Sequence, residues 1–232
     1  MTTVLPPSVR VAALGVAVLA IVAADAASAA DDSPVDSGVK SCPGSPVPWQ
    51  PRGDPAASVE GPRQLLPGTT RATPGEPMTG HLVGNVIVNE PVPFSFLAQG
   101  NLPVSGTLAK KVVNATDGTC DFYYTVSVSA NSALAIDRLV IEQFLHPAHG
   151  LYGAWRNDVL PQGIPPDHVQ RSAGAGDTIT FRIAAGVQPG QTSRPMLLDG
   201  AVGSTKNAGT VQLRAADGTL SDPIPAWVPN WP

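Results

Sequence analysis

The chain has 232 residues, long enough for one sizeable domain or two small ones. Only 14% of its residues are charged, while 23 are glycine and 25 proline, a mix that fits a turn-rich all-β domain better than a helical cytosolic enzyme. Its formal net charge is −4 and Lys110-Lys111 is its only adjacent basic pair, which argues against a nucleic-acid partner, since such binders concentrate Lys and Arg against phosphates.

Residues 1–29 read as a secretory signal peptide. Arg10 and the amino terminus supply positive charge, Val11 to Ala24 is apolar, and Ala27-Ser28-Ala29 supplies small residues for cleavage after Ala29 or Ala30. The competing reading is a retained anchor, but the apolar run is shorter than the roughly 20 residues that span a bilayer. No later stretch is apolar enough to span, so the mature chain is expected to be secreted, periplasmic or at the cell surface. Residues 30–80 are Pro- and Gly-rich and are expected to form a largely disordered linker, because proline neither propagates a helix nor donates to a sheet ladder. Trp49 and Leu65-Leu66 are its candidates for docking onto a domain.

From His81 the texture changes. His81 to Val88 is β-branched, and Phe94 and Phe96 of the next segment share a face. Val104 to Ser129 reads as two strands around Asp117-Gly118, a hairpin signal because both residues tolerate positive φ. The second strand has the clearest period of two. Cys120, Phe122, Tyr124, Val126 and Val128 are expected inward, and Asp121, Tyr123, Thr125, Ser127 and Ser129 outward. Ala133 to Phe144 reads as a strand bent near Asp137-Arg138, although its spacing also suits a short helix. Residues 145–176 form a long connection with a short strand near Leu151 to Arg156.

Asp177 to Ala184 alternates again, with Ile179, Phe181 and Ile183 on one side and Thr178, Thr180 and Arg182 on the other. A Pro-Gly turn leads to a strand from Thr192 to Leu198, whose Pro195 suits an edge or bulge. Val211, Leu213 and Ala215 alternate with Gln212 and Arg214 before a second Asp-Gly turn at Asp217-Gly218. The expectation is an all-β, immunoglobulin-like antiparallel β-sandwich over residues 81–232, with roughly seven to nine strands.

The order of these pieces carries a resemblance. "GTCDFYYTVSVSANSALAIDRLVI", then "SAGAGDTITFRIAAGVQPGQTSRPMLL", then "GTVQLRAADG" resemble secreted bacterial β-sandwich proteins of the PEP-CTERM and choice-of-anchor type, over roughly Val104 to Gly218. That type ends in a Pro-Glu-Pro motif, an apolar helix and basic residues, whereas this chain ends in "DPIPAWVPNWP". The resemblance implies an exported surface or matrix domain without the sorting anchor, and it carries no catalytic residues across.

Cys42 and Cys120 are the only cysteines. An exported chain with an even count points to a disulfide between them, and two free thiols with Cys120 buried is the alternative. The histidines are His81, His146, His149 and His168. They offer a zinc site if the 145–176 connection folds back, but Pro147 breaks any helical His pair, and solvated loop histidines is the plainer reading. No nucleophile elbow, phosphate loop, dinucleotide fingerprint or calcium loop is present. Glu142, Asp158, Asp167 and Asp177 supply carboxylates without singling out a catalytic pair. Asn114 heads a glycosylation sequon and reads as a loop residue. Tyr123, Trp155, Trp227 and Trp231 are candidates for an exposed aromatic platform, although tryptophans so placed more often fill the ends of a sandwich core.

The functional expectation is a non-catalytic surface or matrix module, without cofactor or metal, meeting a protein or glycan at the cell surface. The alternatives are a carbohydrate-binding module using exposed aromatics, and a secreted hydrolase or metal enzyme with its site in residues 145–176.

Overall fold

Alternation along β6 (Cys120–Val128) and β10 (Ile179–Val187) builds the two layers of the molecule. In the computed structural model the described residues are 38–42, 64–73, 75–76, 84–116, 118–146, 151–160, 162–200 and 204–230. The signal-peptide reading lies outside them. The other strands are β1 (Val39–Ser41), β2 (Thr70–Ala72), β3 (Gly75–Glu76), β4 (Gly84–Ala98), β5 (Leu102–Ala115), β7 (Ile136–Glu142), β8 (Tyr152–Arg156), β9 (His168–Arg171), β11 (Met196–Asp199), β12 (Ser204–Ala215) and β13 (Ile224–Pro229).

One sheet runs β1-β12-β7-β10-β9-β2, with β13 also paired to β12, and the other runs β3-β8-β11-β6-β5-β4. Every strand pair is antiparallel except the two-residue β3–β8 pair. The architecture is an all-β antiparallel sandwich. Its described strands number thirteen rather than roughly seven to nine. Three of the additional short ones, β1, β2 and β3, come from residues 30–80, and β9 comes from the long connection.

Inward residues of the two sheets make one core. Phe122, Val126, Phe181 and Leu213 are all 1% exposed or less. Phe122 meets Phe144 edge-on, with centroids 5.1 Å apart. Each such side chain contributes roughly 1.5–3 kcal/mol by leaving water. β7 is a strand and not a helix, with Leu139 and Ile141 in the core. The two predicted segments around Val88 and Phe94 merge into β4, a 15-residue strand containing Pro91 and Pro93. Both prolines are exposed and β4 is the last strand of its sheet, so their missing N–H groups leave no ladder bond unmade.

Cys42 and Cys120 are joined by a disulfide, with Cα atoms 5.6 Å apart across 78 positions of sequence. Cys42 follows β1 on the seven-stranded sheet and Cys120 begins β6 on the six-stranded sheet, so the bridge ties the layers together. Leu65 is buried and its N–H donates to the Leu151 carbonyl, so this predicted docking residue does dock. Nearby, the buried Arg171 guanidinium donates to the carbonyls of Leu65, His146 and Gly176.

Candidate functional site

The outer face of the seven-stranded sheet is built by cross-strand register. On β10, Ile179, Phe181 and Ile183 fill the core, which turns Thr180 and Arg182 outward. Arg182 stands opposite His168 of β9 and Arg138 of β7, and Arg138 stands opposite Arg214 of β12. Four adjacent strands therefore present His168, Arg182, Arg138 and Arg214 in a single row, at the roughly 4.8 Å spacing of paired strands. The next row along the strands is Thr70, Gln170, Thr180, Val140 and Gln212. Thr70, Arg138, His168, Gln170, Thr180 and Arg182 line an open recess of about 250 Å³.

Two carboxylates flank the basic row. Opposite β12 the register of β7 slips at Asp137, the residue before Arg138. Arg214 donates to both Asp137 oxygens, from Nε at 2.9 Å and from Nη2 at 2.5 Å. Asp167 lies 2.6 Å from His168 Nδ1 and 3.6 Å from Arg182 Nε, and accepts the Ala184 N–H at 2.7 Å. Partial burial alone would raise the Asp167 carboxyl. The bonds from His168 and Ala184 and the charge of Arg182 outweigh burial and hold it below the usual carboxylate range. Arg138 stands between two like charges, and its Nε is buried without a hydrogen-bond partner. Like charges directly opposite each other on a sheet are destabilising, so this row is an arrangement folding alone does not favour.

The outer face of the six-stranded sheet is different, and it corrects the sequence reading. Asp121 and Tyr123, expected outward in solvent, do point away from the main core but are 0% and 4% exposed. Tyr123 packs with Val113, Ala154 and Leu197 in a second apolar cluster, with Tyr152 against it. Burial, and then the Asp121 charge, push the Tyr123 phenol well above its ordinary range. The Arg156 guanidinium lies 5.8 Å from its ring centroid.

Tyr123 and Trp227 are buried, so neither offers the exposed aromatic surface weighed as an alternative. Trp227 is 2% exposed; its Nε1 donates to Glu90, its carbonyl accepts from Tyr124, and the Lys40 ammonium sits 4.8 Å over its ring. Trp155 is half-buried, donates to the Thr73 carbonyl and carries the Arg194 guanidinium 4.8 Å over its ring. Trp231 lies outside the described residues. Asn114, expected in a loop, is half-buried within β5, opposite Cys120.

The residues weighed for metal or hydrolytic chemistry are dispersed. His146 is buried, and a Cβ at Gly200 would lie 2.7 Å from its Nε2. His168 stands in the basic row, and His81 and His149 lie outside the described residues. Asp158 accepts from Arg156 Nε at 2.7 Å and Nη2 at 2.6 Å, Glu142 accepts from Thr210, and Asp177 sits beside Ser172 and Thr178. Among the described residues no three His, Cys, Asp or Glu side chains form a group able to hold a metal ion.

Sequence reasoning did not find the basic row. Alternation placed Arg182 and Arg214 outward, but the register that brings them beside Arg138 comes from strands far apart in the chain. No family model matches the chain, and no curated protein or solved structure matches it either. Among the described residues no helix is long and apolar enough to cross a membrane. The disulfide fits an oxidising compartment.

Proposed function

We propose that the protein is an exported, non-catalytic β-sandwich module with a binding or structural role at a cell surface or in an extracellular matrix. The observation that carries this reading is the outer face of the seven-stranded sheet. It holds an ordered row of cations beside a row of hydroxyl and amide groups, open to solvent on a rigid support. A binding site gains from such support because little side-chain freedom remains to be lost on contact. The Cys42–Cys120 bridge and the signal-like leader support export, and the sequence resemblance to PEP-CTERM and choice-of-anchor proteins is consistent with a surface location.

The test is fractionation of cells expressing the full chain with a carboxy-terminal tag. The expected result is recovery at the surface or in the medium, with a new amino terminus at Ala30 or Asp31 and no free thiol. Recovery of the uncleaved chain in the cytoplasm with two alkylatable cysteines overturns the reading.

A further inference from the structure

We infer that the basic row of the seven-stranded sheet is a binding site for an acidic polysaccharide, with Arg138 as the residue that grips its carboxylates. The inference rests on the surface-module reading above and names the ligand class of that same face.

Charge supplies the first argument. Asp137 is engaged at both oxygens by Arg214, and Asp167 is engaged by His168, Arg182 and the Ala184 N–H. Both flanking carboxylates are thus committed beside the row, and Arg138 is left between two other guanidiniums with a buried, unbonded Nε. Glu142, the other acid turned outward on β7, stands four residues along the strand from Arg138 and accepts from Thr210. Among the described residues no acid is paired with Arg138, and because its Nε is buried a ligand carboxylate would be met by the two outer Nη nitrogens. A guanidinium takes a carboxylate in a planar two-bond fork, the geometry that an ammonium cannot offer.

The second argument is what lies beside the cations. Thr70, Thr180 and Gln170 line the same recess as Arg138, Arg182 and His168. Hydroxyls and a primary amide both donate and accept, and so complement the alternating hydroxyls of a sugar ring. A chain of acidic sugars laid across the strands would meet carboxylate-binding groups along one row and hydroxyl-binding groups along the next. Accessibility supports the same occupant. The side chains of Arg182 and His168 are 57% and 45% exposed, so the row is reachable by a polymer lying flat on the sheet. A nucleic acid would demand a far larger basic surface than four side chains interleaved with two acids on a chain of net charge −4.

The test is affinity electrophoresis and calorimetry of the full mature chain with polygalacturonate, using dextran, poly-L-glutamate and a single-stranded DNA as comparisons. Binding is expected to polygalacturonate alone, weakening with salt. Arg138→Gln should lose about tenfold or more in affinity, the effect of removing one charge-assisted bond pair. Its thermal midpoint should equal or exceed that of the native chain, because a like-charge contact has gone. Arg138→Lys should bind more weakly than the native chain, since it keeps the charge and loses the fork. Arg182→Gln, at an exposed position that folding does not depend on, should weaken binding as well, and Lys111→Gln on the other sheet should not.

Equal or tighter binding of poly-L-glutamate or DNA overturns the polysaccharide assignment, as does binding unchanged in both arginine variants or absent from polygalacturonate. These outcomes are separable from failure of the module reading. A chain that stays uncleaved in the cytoplasm yet binds polygalacturonate sinks only the export reading, and an exported chain that ignores the polymer sinks only this one.

Discussion

β6 and β10 carry nearly the same sequence pattern and end in different surroundings. β6 alternates over its nine positions and β10 over its first five, Ile179 to Ile183. In β10 the alternation becomes one buried and one wet face, with Arg182 exposed between the buried Phe181 and Ile183, and Ala184 exposed after them. In β6 the first five residues are buried on both faces, and even Asp121 is sealed. Strict alternation therefore assigns side chains to faces but does not say which face meets water. β6 lies in the middle of its sheet, between β5 and β11, where Val113 and Leu197 reach over the Tyr123 ring. β10 is flanked by β7 and β9, whose outward residues apart from Val140 are polar (Arg138, Glu142, His168 and Gln170) and leave the face wet.

The widest gap between the two strands should come from the disulfide at the start of β6. Cys42→Ala with Cys120→Ala releases a loop of 78 positions, and the chain-entropy relation gives a loss of about 4.5 kcal/mol, read as a fall in urea midpoint with a steeper slope because the unlinked unfolded chain exposes more surface. Opposed alanine substitutions on the two outer faces test the contrast next. Leu197→Ala, in the sealed cluster beneath β6, should lower stability by about 2–5 kcal/mol, whereas Thr180→Ala, on the wet face of β10, should stay within about 0.5 kcal/mol. Similar losses from the two would erase the distinction.

Alkali should separate the strands in another way. Burial raises the Tyr123 and Tyr124 phenols of β6, so the stability they lend is complete below about pH 10, the unfolded tyrosine range, and drains away above it. Their phenolate absorbance near 295 nm should rise together with unfolding and not before it. The smallest effect belongs to the wet face. The Asp167 carboxyl is held low, so its contribution is present above about pH 4 and is lost as pH falls through its lowered folded value. Asp167→Asn should flatten the acid limb of the stability curve by less than about 1 kcal/mol, a size set by solvent screening, measured by thermal scans between pH 2 and 6.

Much of the fold was legible because burial on one face writes itself as a period of two. The inward positions of β6, β10 and β12 follow directly from it, and the Asp217-Gly218 turn carries Gly218 at φ 97°. Three features were not legible for a shared reason: they depend on pairings between distant segments. Val39–Ser41 is too short to announce itself, yet its three-residue match to Ser204–Lys206 carries Cys42 to Cys120. Tyr123 looks like an outward polar position until β8 and β11 lay Ala154 and Leu197 over it. Arg138, Arg182 and Arg214 are scattered in sequence, and a bulge at Asp137 sets which residues of β7 face outward with them.

The sulfur bridge also decides how the molecule carries mechanical load. Tension arriving along the chain ahead of Cys42 crosses covalently to Cys120 and skips everything between, including the whole of β4 and β5. About 260 Å of extensible contour is thereby withheld from a pull, by the reach of an extended residue. Under such a pull the β4–β5 hairpin stays out of the line of force until a reductant cuts the bridge.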